Sequence, residues 1–186
     1  MNSQPVEPVS IKLLPGSKFP EIELMTDEGF TTSLYATGSY KLVLVFRGAF
    51  CSFCELMLQE INRDFAKFDE SNIEVIAVSA DGVAVSNRFS RRLGLIFPLA
   101  CGLTEDHMRQ MGLYISDPQF YINQIHKFAE PAHFLLNPDN TIRYISLSSN
   151  PMSASFNVIP FLMGHKFVLA RGQSDKDFAR VTWGSA

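Results

Sequence analysis

The stretch Leu42-Val43-Leu44-Val45-Phe46-Arg47-Gly48-Ala49-Phe50-Cys51-Ser52-Phe53-Cys54 says most about the architecture of this chain. Its first five residues are apolar without alternation, as in a strand buried on both faces. The segment 55–68 continues an amphipathic run, with Cys54, Met57, Leu58, Ile61, Phe65 and Phe68 at helical spacing. The order is therefore a strand, a short turn, and two cysteines at the start of a helix. At that place the free backbone N–H groups and the positive end of the helix dipole favour thiolate over thiol. The second thiol lies one turn on, on the same face, within reach of a disulfide. A Cys-x-x-Cys in this setting reads as thiol–disulfide chemistry.

Working outward, residues 73–79 form a second unbroken apolar strand, so 41–79 reads as a βαβ unit with parallel central strands. Before it, short apolar runs at 19–24 and 30–34 flank Thr26-Asp27-Glu28-Gly29, a hairpin signal. After it, Asp81 is the expected N-cap of a helix ending near Leu93, with Gly94 as its stop. Residues 96–99 read as a short buried piece, and Thr104 as the cap of a helix that runs to Met111 and stops at Gly112. The aromatic segment 113–130 reads as an insertion with a helical turn near 121–127. Strands at 132–136 and 142–147 are joined by the turn residues Asn137-Pro138-Asp139-Asn140. A helix over 153–170, bent at Pro160, closes the pattern. The expectation is one α/β domain spanning residues 1–186, with 1–17 as a loosely packed N-terminal extension.

At 186 residues, 46% hydrophobic and with 16 Phe, the chain can bury a substantial core. A net charge of −3 and a pI near 5.8 give no electrostatic footprint for nucleic acid or anionic membrane. No apolar run approaches the ~20 residues that span a bilayer, and the N-terminus lacks the basic and apolar regions of a secretory signal. Three cysteines suit a reducing compartment with one working pair, so a cytoplasmic location is expected.

The element order resembles the thioredoxin fold: a mixed central sheet flanked by helices, an N-terminal β-hairpin and an insertion before the C-terminal hairpin. The residues are closer to its peroxiredoxin-like branch, the AhpC/TSA or redoxin family. Arg47-Gly48-Ala49-Phe50-Cys51-Ser52-Phe53-Cys54 is similar to that branch's Arg-Gly-x-Trp-Cys-Pro-x-Cys signature. The runs at 20–29, Val78-Ser79-Ala80-Asp81, Phe97-Pro98-Leu99 and 131–136 resemble further family phrases. The resemblance implies a thiol-dependent oxidoreductase without a cofactor or metal. Its substrate would be a disulfide or peroxide, its electron donor a thiol protein or glutathione, and a homodimer is an open option. It also implies Cys51, Cys54, Arg47 and Pro131 as site residues, Pro131 as a cis-proline exposing a backbone edge beside the disulfide.

Three departures shape the expected chemistry. Phe50 stands for the usual tryptophan. Ser52 stands for proline at the first helical position and restores an N–H near the Cys51 sulfur. With Cys54 aligned to the peroxidatic cysteine, the positions of the peroxiredoxin Pro and Thr hold Arg47 and Cys51, while the peroxide-orienting arginine aligns near Pro131. The expectation is disulfide reduction, with slower peroxide turnover.

Other readings stay open. Thioredoxin logic makes Cys51 the attacking thiol, whereas the family's peroxidatic position corresponds to Cys54. Arg47 is either a cation beside the thiolate or a solvated end-of-strand residue. Cys101 is a second resolving thiol or a small buried hydrophobe. A non-catalytic module for copper delivery, with His133 near the pair, or for partner binding is the alternative to an enzyme. A structural zinc site lacks further paired ligands.

Overall fold

The computed structural model describes residues 12–118, 120, 122, 124–153 and 156–174. Its centre is a sheet in which β3 (Tyr40–Val45) and β4 (Ile73–Val78) run parallel, Lys41 opposite Glu74 and Val45 opposite Val78. Between them lie α1 (Ser52–Arg63) and the short α2 (Ala66–Asp69), so the expected single helix is broken at Asp64. The N-terminal hairpin pairs β1 (Glu23–Thr26) with β2 (Thr31–Ser33). Its strand β1 docks antiparallel on β5 (Leu99–Cys101), which lies parallel to β4. On the other side of β3, β8 (Ala132–Leu136) and β9 (Ile142–Leu147) form the C-terminal hairpin. The strand order among the described residues is β2-β1-β5-β4-β3-β8-β9. This is the thioredoxin-like mixed sheet that the element order implied.

Alternation along β3 divides the core into two layers. Leu42, Leu44 and Phe46 point to the layer of Met57, Leu58 and Ile61 from α1 and Leu162 from the last helix. Val43 and Val45 point to the layer of Phe19, Phe134, Met108 and Leu113. Each layer is buried, which is why this strand carries no polar residue between Lys41 and Arg47.

Several elements sit differently from the sequence reading. The helix α3 (Val83–Leu93) starts on Gly82, with no side-chain cap, because the Asp81 carboxylate is engaged elsewhere. Its left-handed Gly94 stop is as expected. Of the buried piece expected at 96–99, Phe97 and Leu99 are buried while Ile96 and Pro98 are exposed, and the strand begins at Leu99. Thr104 does cap α4 (Glu105–Gln110), in a reciprocal box with His107.

The insertion is framed by a two-residue antiparallel ladder, β6 (Ile115–Ser116) on β7 (Phe128–Ala129), and no helix is found in it among the described residues. Tyr121 and Asn123, in the expected helical turn, lie outside the described residues. After a 3-10 turn at Pro151–Ser153, α5 runs over Val158–Ser174. Pro160 falls in its first turn, where a missing N–H costs no intrahelical bond and needs no kink. Residues 1–11 of the expected extension lie outside the described residues. Lys12 donates to the Gly112 carbonyl at 2.7 Å and Gly16 N–H to Ile142 O at 2.7 Å, which ties that end to the body.

Candidate active site

Cys51 is the N-cap of α1, with extended backbone (φ −96°, ψ 102°), and its Sγ accepts the Cys54 N–H at 3.2 Å. The chain reaches this position through a tight turn in which Cys51 N–H donates to Gly48 O at 3.1 Å. Cys51 and Cys54 are joined as a disulfide, with Cα atoms 5.3 Å apart. Cys54 is wholly buried, whereas Cys51 keeps 4% of its surface and faces a cavity of about 460 Å³. Phe50, Phe53, Ile122, Pro151 and Met152 give this cavity apolar walls, and Ser116 and Ser149 give it hydroxyls. Arg47 and Glu130 complete the wall beside Cys51.

Arg47 is buried, which removes the reading of a solvated end-of-strand residue. Its guanidinium lies against the Phe128 and Phe50 rings, 4.7 and 5.4 Å from their centroids, and its Nε is 3.3 Å from Glu130 Oε2. Neither of those two atoms has a well-aligned hydrogen bond, so the contact is one of charge against charge. Glu130 Oε1 accepts the Ser116 hydroxyl at 2.6 Å. The insertion is thereby anchored to the turn that carries Cys51, reinforced by the edge contact of Phe50 on Phe128 at 5.0 Å.

A second anchor passes through Asp81. Its Oδ2 accepts the Ala49 N–H at 2.7 Å and the Ser79 hydroxyl at 3.2 Å, while Oδ1 accepts Gln124 Nε2 at 3.3 Å. This engagement is what draws Asp81 away from capping α3. Gly48 sits directly above it with φ +143°, in the region that favours glycine.

Pro131 is buried between β7 and β8, and the bond leading into it is trans, as are all peptide bonds among the described residues. This corrects the cis expectation. Extended pairing continues through the site, with Glu130 N–H donating to Tyr114 O at 2.8 Å and Pro131 O accepting Ser148 N–H at 2.9 Å. The neighbouring Glu130, rather than Pro131, reaches the cavity lining.

Cys101 is buried in β5, its Sγ directed to Leu99 O at 3.4 Å, and is absent from the cavity lining. Burial, with the nearby Asp27 and Asp81 charges, pushes its thiol pKa up. It sits as a small buried residue of the core. His133 turns its Nε2 to Met57 Sδ at 3.2 Å and packs edge-on against Phe156. Among the described residues no three His, Cys, Asp or Glu side chains gather in a way that could hold a metal ion.

Sequence reasoning missed Glu130, Ser116 and the role of Asp81. No motif marks Glu130, since its partner Arg47 is distant along the chain. Asp81 carried a signal, an acidic residue before a helix, that fits a cap equally well.

The two buried histidines give a pH dependence. Burial lowers the His133 pKa to about 4; burial first, then Arg143 and Lys166, lower that of His165 to about 4. Between roughly pH 6.5 and 4 the unfolded chain binds protons that the folded chain refuses. Stability should therefore fall as pH drops through that window, by at most ~1.4 kcal/mol per pH unit for each imidazole. Urea midpoints from pH 7 to 4.5 check this, and His133→Leu should flatten the decline.

Comparisons with known proteins agree with this architecture. No curated protein matches the chain. Among solved structures it is similar to a cysteine mutant of peroxiredoxin 6 from Arenicola marina, at 17% identity and a TM-score of 0.73, covering 87% of this chain and 76% of that one. It is similar to a peroxiredoxin-like protein from Aquifex aeolicus, at 16% identity and a TM-score of 0.71, covering 86% and 90%. It is also similar to AhpC from Enterococcus faecalis, at 19% identity and a TM-score of 0.68, covering 87% and 97%. At these identities the likeness concerns the fold. The AhpC/TSA family profile matches residues 15–145, most of the folded body with the cysteine turn inside it, and the chain belongs to the AhpC/TSA family.

Proposed function

We propose that this protein is a thiol–disulfide oxidoreductase of peroxiredoxin-like type, which uses Cys51 and Cys54 to reduce disulfides and, more slowly, peroxides. The observation that carries the reading is the placement of the pair. A bonded Cys51–Cys54 caps a helix, and its more accessible sulfur faces a cavity. In the reduced state the Cys54 N–H that points at Cys51 Sγ, together with the helix dipole, stabilises a thiolate there.

The Cys51 thiolate attacks one sulfur of a substrate disulfide. A Cys51–substrate bond forms, the substrate S–S bond breaks, and the first substrate thiolate leaves. Cys54 then loses its proton and attacks Cys51 Sγ. This releases the second substrate thiolate and closes the Cys51–Cys54 bond. Two electrons have passed from the dithiol to the substrate, and a donor thiol protein or glutathione returns them by the same exchange. Protons from water balance the released thiolates. Such recharging belongs in a reducing compartment, and the cytoplasm fits the cysteine usage.

Peroxide is the slower substrate because the residues aligned with the usual activating Pro, Thr and Arg are Arg47, Cys51 and Pro131. Arg47 is already paired with Glu130, which leaves its charge partly spent. Stopped-flow oxidation of the reduced protein by hydrogen peroxide, set beside its oxidation by a small disulfide, is the test. The expected peroxide rate is that of an ordinary accessible thiolate. A rate like that of a dedicated peroxidase would make peroxide the substrate. A pair that fails to cycle between two thiols and one disulfide would overturn the dithiol reading altogether.

A further inference from the structure

The Arg47–Glu130 pair is out of keeping with its surroundings. Both side chains are nearly fully buried, at 11% and 5% exposure, and the guanidinium lies against aromatic rings. Desolvating two ions there is expensive, and a buried pair is often no better for stability than apolar residues of the same volume. Yet the pair lies on the wall of the cavity that Cys51 faces. A mostly buried charge on that wall is screened less from the sulfur than a charge on the open surface would be.

The other charged groups around the cysteine turn are already committed. Asp81, from the β4–α3 link, is held by the Ala49 N–H, Ser79 and Gln124. On α1, Glu55 is forked onto Arg92 from α3. His133, from β8, faces Met57. Among the described residues, Arg47 and Glu130 are therefore the charges that line the cavity with Cys51, and they oppose one another.

We propose that Glu130 is a positioning residue: by holding the Arg47 guanidinium in a neutral pair on the cavity wall, it sets how strongly that cation stabilises the Cys51 thiolate, and so the redox equilibrium of the Cys51–Cys54 pair. Ser116, through its 2.6 Å bond to Glu130, fixes the carboxylate at that distance. The inference rests on the dithiol reading above. It goes beyond that reading in assigning control of the pair to a residue that exchanges no electrons.

The test is a charge cycle on the full chain. Glu130→Gln leaves Arg47 uncompensated, so the reactive thiol should titrate about one pH unit lower in iodoacetamide alkylation. In glutathione buffers at a pH above both thiol pKa values, the reduced form is then favoured about tenfold, a potential about 30 mV less negative. Arg47→Gln leaves the carboxylate alone and should move both quantities the opposite way by similar factors. The double variant, neutral again, should return within about threefold of the parent equilibrium. Shifts of the same sign in both single variants, or none in folded protein, overturn the proposal. Should either single variant fail to fold, the double variant decides, since a tenfold departure from the parent there also overturns it. A parent protein with no reversible Cys51–Cys54 disulfide refutes the dithiol reading itself. A cycling parent with unmoved variants refutes only the role of Glu130.

Discussion

Cys51→Ser should lose disulfide-reductase turnover by on the order of a thousandfold or more, because the attacking sulfur is gone and the buried Cys54 cannot take its place. The geometry argues the order of attack. Cys51 has the sliver of exposed surface and the cavity, receives the Cys54 N–H, and sits at the helix tip; Cys54 has none of these. Cys54→Ser should behave differently. It should still react once with a substrate disulfide, then stall as a mixed disulfide on Cys51, since no second thiol can resolve it. Mass spectrometry of each variant after exposure to a small disulfide reads both outcomes. An adduct forming rapidly on Cys54 in the Cys51→Ser protein, with none on Cys51 in the other, would reverse the assignment and bring the pair into line with the family's peroxidatic position.

Gly48→Ala should cost roughly 2–4 kcal/mol and lower the melting temperature by about 5–15 °C. Two effects add at this position. The backbone is held at φ +143°, where a side chain is strained, and an added Cβ would stand 2.9 Å from Asp81 Oδ2 and 3.0 Å from Phe50 Cε1. Relief requires Asp81 to withdraw from the Ala49 N–H or Phe50 to leave Phe128, and either movement shifts the turn that presents Cys51. The thiol should accordingly alkylate at a changed rate as well as in a less stable protein. Gly82→Ala is the matched control. That glycine has nothing within 4 Å of an added Cβ, and its replacement should cost under about 1 kcal/mol. Equal melting curves for the two variants would remove the special status of Gly48.

The central βαβ unit, the C-terminal hairpin and the place of the cysteine pair were legible in the chain alone. Each of these is written in local, periodic signals. Unbroken apolar runs make β3 and β4, helical spacing makes α1, and Asn137-Pro138-Asp139-Asn140 makes the turn between β8 and β9. Thr104 and Gly94 were legible for the same reason, since a cap or a left-handed stop is a property of a few consecutive residues. Where two structures share one local signal, the sequence could not choose. An acidic residue before a helix fits a cap, but Asp81 found a better donor in Ala49 N–H across the sheet, and α3 began on Gly82 instead. A proline at a strand entry fits either isomer, and the pairing of Glu130 with Tyr114 and of Pro131 with Ser148 accompanies the trans form. The company that Arg47 keeps is a matter of long-range packing. Its strand end and the β7–β8 link meet through sheet order, and two mostly buried charges placed together must pair because neither can be left alone there.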